Sequence, residues 1–390
     1  MTVERLRPYS VNVFAAMSAL AAEVGAVNLG QGFPDEDGPP AMLEAARQAI
    51  ADGVNQYPPG PGIAPLRQAI ARQRRRRYRV DFDPDHEVLV TVGASEAIAA
   101  AVLGLVEPGS EVMLIEPFFD TYSPVIAMSG SQRVSVSLVR DGHGFALDID
   151  AVRAAITPRT RALIVNSPHN PTGMVLSDDD VRALAELAVE AGLLVISDEV
   201  YEHLVFDGRR HLPISTYPGM AERTVTISSA AKMFNCTGWK IGWACGPADL
   251  IAGVRAAKQY LSYVGGAPFQ PAVAYALDNE DAWVDSLCQS LQAKRDTLSA
   301  ALTDIGFEVH DSAGTYFLCA DPRPLGFTDS ASFCAELPHR SGVAAIPMSA
   351  FCDPDSAHVG EWNHLVRFAF CKRHETLDEA IRRLDTLRVG

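Results

Sequence analysis

Residues 161–198 form a stretch that begins with Arg161-Ala-Leu-Ile-Val-Asn166 and ends with Leu193-Leu-Val-Ile-Ser-Asp198. Both runs are short, apolar and rich in β-branched residues, which is typical of buried strands. The residues between the two runs have a helical pattern. The stretch therefore predicts a strand, a helix and a second strand, which is the unit from which parallel sheets are built.

The same alternation extends outward from about residue 86 to about residue 245. It predicts strands at 87–92, 111–116, 133–138, 161–166, 193–198, 224–228 and 241–245. We therefore expect an α/β fold whose mostly parallel, seven-stranded sheet has helices on both faces.

Beyond residue 248 the pattern becomes helical, over 248–261 and 270–304, and then returns to short strands at Phe307, 315–319 and 365–370. This change indicates a second, smaller α+β domain. The domains that we predict are an N-terminal segment packing with the small domain (1–47), a large domain (48–280) and the small C-terminal domain (281–390).

The composition argues for small-molecule partners. The chain has 390 residues, 48% of them hydrophobic, and a formal net charge of −15. Nucleic acids and anionic membranes require a positively charged surface, so we predict neither as a partner. The seven cysteines have no zinc-like spacing, and no apolar run approaches the roughly 18 residues of a membrane span. We predict a cytoplasmic protein without a metal.

Lysine is rare in this chain. Of the 33 basic residues only five are lysines, at positions 232, 240, 258, 294 and 372. Lys258 and Lys294 lie in helical patterns, and we expect them to be solvated. The run Arg74-Arg-Arg-Arg77 ends an apparent helix that begins near Ala64. Because cations are favourable at a helix C-terminus, we predict a solvated helix end there.

Polar and small residues follow the predicted strands, where the ligands of doubly wound sheets bind. In chain order they are Gly93, Ala94 and Ser95, then Phe119, Asn170, Asp198, Tyr201, Ser229, Lys232 and, eight residues later, Lys240. We expect these residues to converge on one crevice.

The chemistry of this set points to one kind of ligand. Small residues at a helix N-terminus bind phosphate, and Lys240 can add a point charge. The carboxylate of Asp198 can keep a heterocyclic nitrogen protonated, and Lys232 can form an imine once its pKa is depressed. A phosphate, a protonated ring nitrogen and an imine together describe pyridoxal 5'-phosphate (PLP).

Three segments carry a family resemblance: Ser229-Ala-Ala-Lys232-Met-Phe-Asn-Cys-Thr-Gly-Trp-Lys240-Ile-Gly-Trp243, Asn170-Pro-Thr-Gly173 and Asp198-Glu-Val-Tyr201. They resemble the class I/II aminotransferases of PLP fold type I, and the resemblance extends from about residue 28 to about residue 372. Within this family the chain is most similar to the kynurenine and methionine aminotransferases. In that subgroup it looks most like the actinobacterial N-succinyldiaminopimelate aminotransferases of lysine synthesis.

The resemblance implies a PLP-binding large domain. Lys232 would carry the cofactor and shuttle a proton, Asp198 would hold the ring nitrogen protonated, and Tyr201 and Asn170 would bond the phenolic oxygen. Phe119 would stack on the ring. The residues expected around the phosphate are Gly93, Ala94, Ser95, Ser229 and Lys240. Tyr57 matches a tyrosine that reaches the phosphate from the neighbouring subunit, which implies a homodimer with shared active sites.

Substrate-binding positions follow from the same resemblance. Arg367 would bind the substrate α-carboxylate as a planar fork, with Gly32 and Asn170 assisting, and Phe14 would line the pocket. The segment from Tyr260 to Ala267 would admit the substrate side chain. Its small residues, Gly266 among them, suggest room for a long substrate.

The activity implied is a ping-pong transamination from L-glutamate to an oxo acid, most consistent with the N-succinyl-L,L-2,6-diaminopimelate:2-oxoglutarate reaction. A kynurenine- or methionine-type aminotransferase of broad specificity is one alternative, and a carbon–sulfur lyase on the same fold is another. A hydrolase is a third alternative, with Ser95 on a nucleophile elbow and His364 or His374 as its base.

Overall fold

The computed structural model describes residues 2–10, 12–353, 355–356 and 358–388. Its strands are β1 (Val27–Asn28), β2 (Val88–Val92), β3 (Glu111–Glu116), β4 (Gln132–Ser137), β5 (Val139–Asp141), β6 (Gly144–Ala146), β7 (Thr160–Asn166), β8 (Leu194–Asp198), β9 (Thr224–Ser229), β10 (Ile241–Cys245), β11 (Glu308–Val309), β12 (Phe317–Asp321), β13 (Val343–Ala344), β14 (Ile346–Pro347) and β15 (Val366–Ala369).

Its α-helices are α1 (Val13–Val24), α2 (Pro40–Ala51), α3 (Ala64–Tyr78), α4 (Gly93–Leu105), α5 (Tyr122–Ser129), α6 (Ile149–Ala155), α7 (Asp178–Glu190), α8 (Ala230–Met233), α9 (Ala248–Leu261), α10 (Phe269–Asn279), α11 (Asp281–Ile305), α12 (Ser330–Ser341), α13 (Val359–Trp362) and α14 (His374–Leu384). Single 3-10 turns lie at Glu4–Tyr9, Ile214–Thr216, Thr237–Trp239, Arg323–Leu325, Met348–Phe351 and Asp385–Leu387. Within the described ranges, no helix is both long and apolar enough to cross a membrane.

The large sheet has seven strands in the order β2-β10-β9-β8-β7-β3-β4. Its neighbours are parallel except where β10 pairs, antiparallel, with β2 and β9. The predicted mostly parallel sheet is confirmed, and each of the seven strands predicted for it begins and ends within one residue of an observed strand.

Strand residues alternate between the two faces of this sheet. On β7, Ile164 packs in a cluster with α4, α5 and α9, whereas Leu163 and Val165 pack on the opposite face with α7. A third cluster, around Trp243, joins α2, α3 and α10 to the edge formed by β2 and β10. Because both faces are buried, the strands are continuous apolar runs rather than alternating ones.

The small sheet is antiparallel, in the order β11-β12-β15-β14. The N-terminal strand β1 pairs in parallel with β13, and α1 contacts α12. The predicted helical run over 270–304 is divided at Glu280 into α10 and α11. The domain boundary predicted at 280/281 lies at this break, and the one predicted at 47/48 lies inside α2; both boundaries stay predictions.

The solvated helix end predicted for the arginine run is wrong for Arg74. Its side chain is 0% exposed, and its NH1 lies 3.0 Å from Glu199 Oε2 and 2.8 Å from Glu202 Oε2. In the described part of the chain, Glu199, Glu202 and His211 are close enough to hold a metal ion, but the Arg74 guanidinium already bridges the two carboxylates. This cation holds the pKa of Glu199 well below its usual value despite burial.

The two lysines that we expected to be solvated are both buried. Lys294 is 0% exposed and pairs with Glu36 at 2.6 Å. Lys258 is 2% exposed and donates to the Gly60 carbonyl at 2.7 Å. The prediction was wrong because a lysine within a helical pattern does not reveal what packs against its face of the helix.

Candidate active site

The predicted strand-end residues surround one cavity of about 230 Å³. Its wall includes Gly93, Ala94, Ser95, Phe119, Asn170, Asp198, Tyr201, Ser229, Lys232 and Lys240, together with Ile98, Asn166, Val200, Ala231 and Thr237. The convergence expected from the sheet topology is therefore present, because parallel strands carry these residues to the same edge.

A second cavity, of about 240 Å³, adjoins the first. Its wall includes Asn12, Phe14, Gln31, Gly32, Phe33, Asp120, Phe317 and Arg367. The two cavities share Phe119, Asn170, Tyr201 and Lys232. They are thus two halves of one site, with the Lys232 amine accessible from both.

The first cavity ends at the N-terminus of α4. Gly93 begins this helix with φ +71°, and a Cβ atom there would lie 3.2 Å from Cε and 3.3 Å from Nζ of Lys240. The backbone of β10 also comes close to this helix at Gly242, where a Cβ atom would lie 2.6 Å from the Ala94 nitrogen. Free N–H groups of the first helical turn and the Lys240 ammonium therefore face the same space, which suits a phosphate.

Asp198 lies at the end of β8 and is 3% exposed. Burial raises the pKa of its carboxyl to about 6, and the hydrogen bond from the Tyr122 hydroxyl, 2.6 Å long, opposes this rise. A buried carboxylate of this kind favours a cationic partner. It can therefore hold a ring nitrogen in its protonated form.

Lys232 lies on α8, directly after β9. Burial lowers the pKa of its amine to about 8, and the nearby Asp198 and Cys371 oppose this lowering. The Nζ atom lies 5.8 Å from the ring centroid of Tyr201 and 5.7 Å from that of Tyr316. Part of this amine is therefore neutral near physiological pH, as nucleophilic or general-base chemistry requires.

Arg367 lies on β15 in the second cavity and is 2% exposed. Its NH1 donates to Asn170 Oδ1 and its NH2 to the Gly30 carbonyl, both at 2.8 Å. The guanidinium stacks 3.8 Å from the Phe317 centroid, and Nε has no protein hydrogen-bond partner among the described residues. Since a guanidinium carries five N–H donors, it can also bind a carboxylate.

Phe14 and Gly32 shape the wall beside Arg367. The Phe14 centroid lies 5.5 Å from the guanidinium carbon. A Cβ at Gly32 would lie 2.5 Å from the Phe317 ring, and the Gly32 carbonyl accepts a hydrogen bond from Tyr316 at 2.5 Å. Gly32 thus leaves room for the aromatic wall, while Gly30 supplies the carbonyl that holds the arginine.

Comparison with known proteins agrees with this geometry. The model of the family "Aminotransferase class I and II" matches residues 24–384. The chain belongs to the class I and II aminotransferases. The family resemblance found in the sequence and the predicted fold class are both confirmed.

Two relatives of this aminotransferase are informative. The probable N-succinyldiaminopimelate aminotransferase DapC of Mycobacterium tuberculosis is 75% identical over 99% of this chain and 98% of its own length. The methionine aminotransferase of Escherichia coli is 39% identical over 98% of this chain and 97% of its own length.

Two solved structures of aminotransferases are also similar to this chain. The N-succinyldiaminopimelate aminotransferase from Mycobacterium tuberculosis has a TM-score of 0.97, with 75% identity and coverage of 99% of this chain and 100% of that chain. YbdL from Escherichia coli, which has a methionine aminotransferase function, has a TM-score of 0.93, with 38% identity and 99% coverage of both chains.

Two site residues of the aminotransferase were missed from the sequence. Asn166 accepts a hydrogen bond from the Asn170 nitrogen at 2.7 Å and donates to the Asp198 carbonyl at 2.9 Å, so it joins two of the predicted residues. Its position at the end of β7 could have identified it from the sequence, because ligands of such sheets bind at the strand ends. Tyr122, the partner of Asp198, begins α5 three residues after Phe119, and nothing local marks it.

The structure does not bring Tyr57 to the site of its own chain. Its side chain is 82% exposed, and its ring lies edge-to-face with Tyr263 at 5.8 Å. The small size of Gly266 has a different reason from the one we expected. This residue has φ +64°, and a Cβ there would lie 2.3 Å from Ile241 Cδ1, so the glycine permits close packing on the sheet.

The hydrolase alternative gains no support from the arrangement. Ser95 lines the same end of the cavity as Lys240. His364 lies elsewhere, 3.6 Å from Asp321 at the end of β12. The histidine therefore belongs to the small sheet, whereas a hydrolytic base must lie within hydrogen-bond reach of its nucleophile.

Proposed function

We propose that this aminotransferase uses PLP to transfer an amino group from L-glutamate to an oxo acid, in the N-succinyl-L,L-2,6-diaminopimelate:2-oxoglutarate reaction of lysine synthesis. The observation that carries the proposal is the position of Lys232, whose partly buried amine faces both cavities. The α4 N-terminus and Asp198 lie in the first cavity, and Arg367 lies in the second. The 75% identical relative from Mycobacterium tuberculosis supports the choice of substrate.

The residues of the first cavity fit PLP in size and chemistry. The α4 N-terminus and Lys240 suit its phosphate, Asp198 suits its ring nitrogen, and the Lys232 amine suits its aldehyde carbon. Phe119 lies in the wall shared with the second cavity, where it can cover the ring face. When bound, PLP supplies the electron sink for a carbanion at the substrate α-carbon.

The protein's own groups divide the remaining work. Arg367 orients the substrate through its carboxylate, while Phe14 and Phe317 keep water from the reacting centre. Lys232 holds a proton at Nζ and returns it, which its lowered pKa of about 8 permits. Asp198 would hold the ring nitrogen of bound PLP and would stay ionised there, because a neighbouring cation favours its charged form.

We further propose a homodimer with shared active sites, in which the partner subunit's Tyr57 reaches the phosphate. The support is that Tyr57 is 82% exposed and lies outside both cavities of its own chain. A cytoplasmic location remains a prediction from the cysteine pattern.

Replacement of the central lysine tests the cofactor chemistry. We expect Lys232→Ala to lose both the visible absorbance of covalently bound PLP and transamination of every substrate. Lys294→Met, which removes a buried amine away from the site, should keep the absorbance and serves as the control for folding. A Lys232→Ala protein with full activity would refute the proposal.

A further inference from the structure

Lys258, on α9, is a buried lysine with an unusual set of acceptors. Its side chain is 2% exposed, and its Nζ donates to the carbonyls of Gly60, at 2.7 Å, and of Tyr263. These carbonyls belong to two segments about 200 residues apart in sequence. The ammonium therefore ties one surface loop to another.

A second buried side chain ties the same two loops. Gln270 is 1% exposed; its Oε1 accepts from the Ile63 nitrogen and its Nε2 donates to the Gly265 carbonyl, both at 2.9 Å. We call residues 57–63 and 260–266, the second of which includes the last two residues of α9, the paired loops. Two independent ties indicate that the paired loops form one rigid unit.

The exposed surface of the paired loops is aromatic. Tyr57 is 82% exposed, Tyr260 is 86% exposed and Tyr263 is 47% exposed. The rings of Tyr57 and Tyr263 meet edge-to-face, with centroids 5.8 Å apart. Such rings are amphipathic and commonly bury against a partner protein.

The paired loops are also joined to the phosphate-binding helix of their own chain. Glu96, in the first turn of α4, accepts from the Ser262 hydroxyl and, at 2.6 Å, from the Val92 nitrogen. Burial lowers the pKa of the Lys258 amine, and the nearby Glu96 carboxylate opposes this lowering. The buried ammonium, the loops and the helix end therefore form one connected structure.

We propose that Lys258 is a positioning residue that holds Tyr57 and Tyr263 of one subunit in place for the active site of the other. The inference rests on the proposed shared-site homodimer. If Lys258 only stabilised α9, its loss would weaken PLP binding in its own subunit. If Lys258 fixes the paired loops, its loss weakens PLP binding in the partner subunit.

Hybrid dimers separate these two roles. Two differently tagged chains are co-expressed, and one of them carries Lys232→Ala, so each hybrid has a single site able to bind PLP covalently. Lys258→Met is placed either on the Lys232→Ala chain (the trans arrangement) or on the other chain (the cis arrangement). PLP is then titrated into each hybrid, and the visible absorbance of covalently bound cofactor is recorded.

In the trans arrangement the intact Lys232 faces disordered paired loops of the partner. We expect the apparent dissociation constant of PLP to rise on the order of tenfold, as for loss of a charge-assisted hydrogen bond. In the cis arrangement the rise should be smaller, because there Lys258→Met reaches the intact site only through the Glu96 contact with α4. Equal values in the two arrangements, or a larger effect in cis, would overturn the positioning role.

Two controls accompany these hybrids. Tyr57→Phe in the same arrangements tests the shared site itself: if it has no trans effect, both proposals fail, and if it has one while Lys258→Met does not, only the role of Lys258 fails. Lys294→Met removes another buried amine and should not weaken PLP binding in trans. If Lys258→Met does not fold, Lys258→Gln, which keeps N–H donors on a shorter side chain, is tested with the same expected ordering.

Discussion

Tyr122 donates its hydroxyl hydrogen to Oδ2 of Asp198 at 2.6 Å, and the two side chains are only 2% and 3% exposed. Tyr122 begins α5 and Asp198 ends β8, so the bond spans 76 residues of sequence. It gives a buried carboxylate one of the donors that its ionised form requires. The ionised form of Asp198, the proposed partner of the cofactor ring, is therefore favoured by a residue outside the recognised motifs.

Tyr122→Phe should shift the pH dependence of PLP binding. Burial raises the pKa of Asp198 to about 6, and the Tyr122 hydrogen bond lowers it, so removing the hydroxyl raises it further. The acidic limb of the PLP affinity profile should move to higher pH by about one unit or more, as for a lost hydrogen bond to a charged group. Titrations across the acidic range check this; an unmoved limb would show that Tyr122 does not tune Asp198.

Arg367→Lys should weaken the binding of substrates without weakening the binding of PLP. A lysine keeps the charge but cannot bond Asn170 and Gly30 while also presenting a fork to a carboxylate. We expect kcat/KM to fall by about a hundredfold or more for the amino donor and the oxo acid alike, since both present an α-carboxylate. Steady-state kinetics, with the PLP dissociation constant as the internal control, measure this. A fall confined to one substrate would contradict the shared role.

Arg74→Met should strongly destabilise the fold. Removing this cation leaves Glu199 and Glu202 buried without the guanidinium that bridges them, which costs about 3 to 5 kcal/mol in the free energy of unfolding. Arg76→Met, on the same helix, removes a pair whose arginine is 38% exposed and should cost less than about 1 kcal/mol. Urea unfolding of both variants makes the comparison.

The stability that Arg74→Met loses relative to the native protein should also decrease as the pH falls. In the native protein the pKa of Glu199 is held below its usual value, so this group contributes stability at neutral pH that is lost only as the pH falls. Without Arg74, only His211 and Ser197 still oppose the effect of burial, so the pKa of Glu199 rises and the variant loses stability as the pH rises. The difference between the two proteins should therefore narrow on acidification; a constant difference would contradict this assignment.

The sequence predicts the large sheet and most of the site because both depend on local patterns. Each strand of the sheet is a short apolar run, and Asp198 and Lys232 directly follow such runs. Asn170 lies in the loop after β7 and Arg367 lies on β15, and only the family resemblance joined them before the structure placed Asn170 Oδ1 2.8 Å from NH1 of Arg367.

What the sequence does not reveal depends on distant partners. The surroundings of Arg74 are set by Glu199 and Glu202, 125 and 128 residues away. Gly266 suggested open space, but a backbone conformation and a neighbour, Ile241, explain its lack of a side chain. Both residues are explained by how one helix or strand packs on another, and the local sequence pattern does not reveal that packing.

The proposed substrate is tested by comparing kcat/KM for several amino donors with 2-oxoglutarate, using the PLP-loaded enzyme. The donors are N-succinyl-L,L-2,6-diaminopimelate, kynurenine and methionine. The proposed function predicts that the succinylated donor exceeds the other two by at least about tenfold, which is a modest discrimination for an enzyme pocket. Equal or higher values for kynurenine or methionine would contradict it and would favour an aminotransferase of broad specificity.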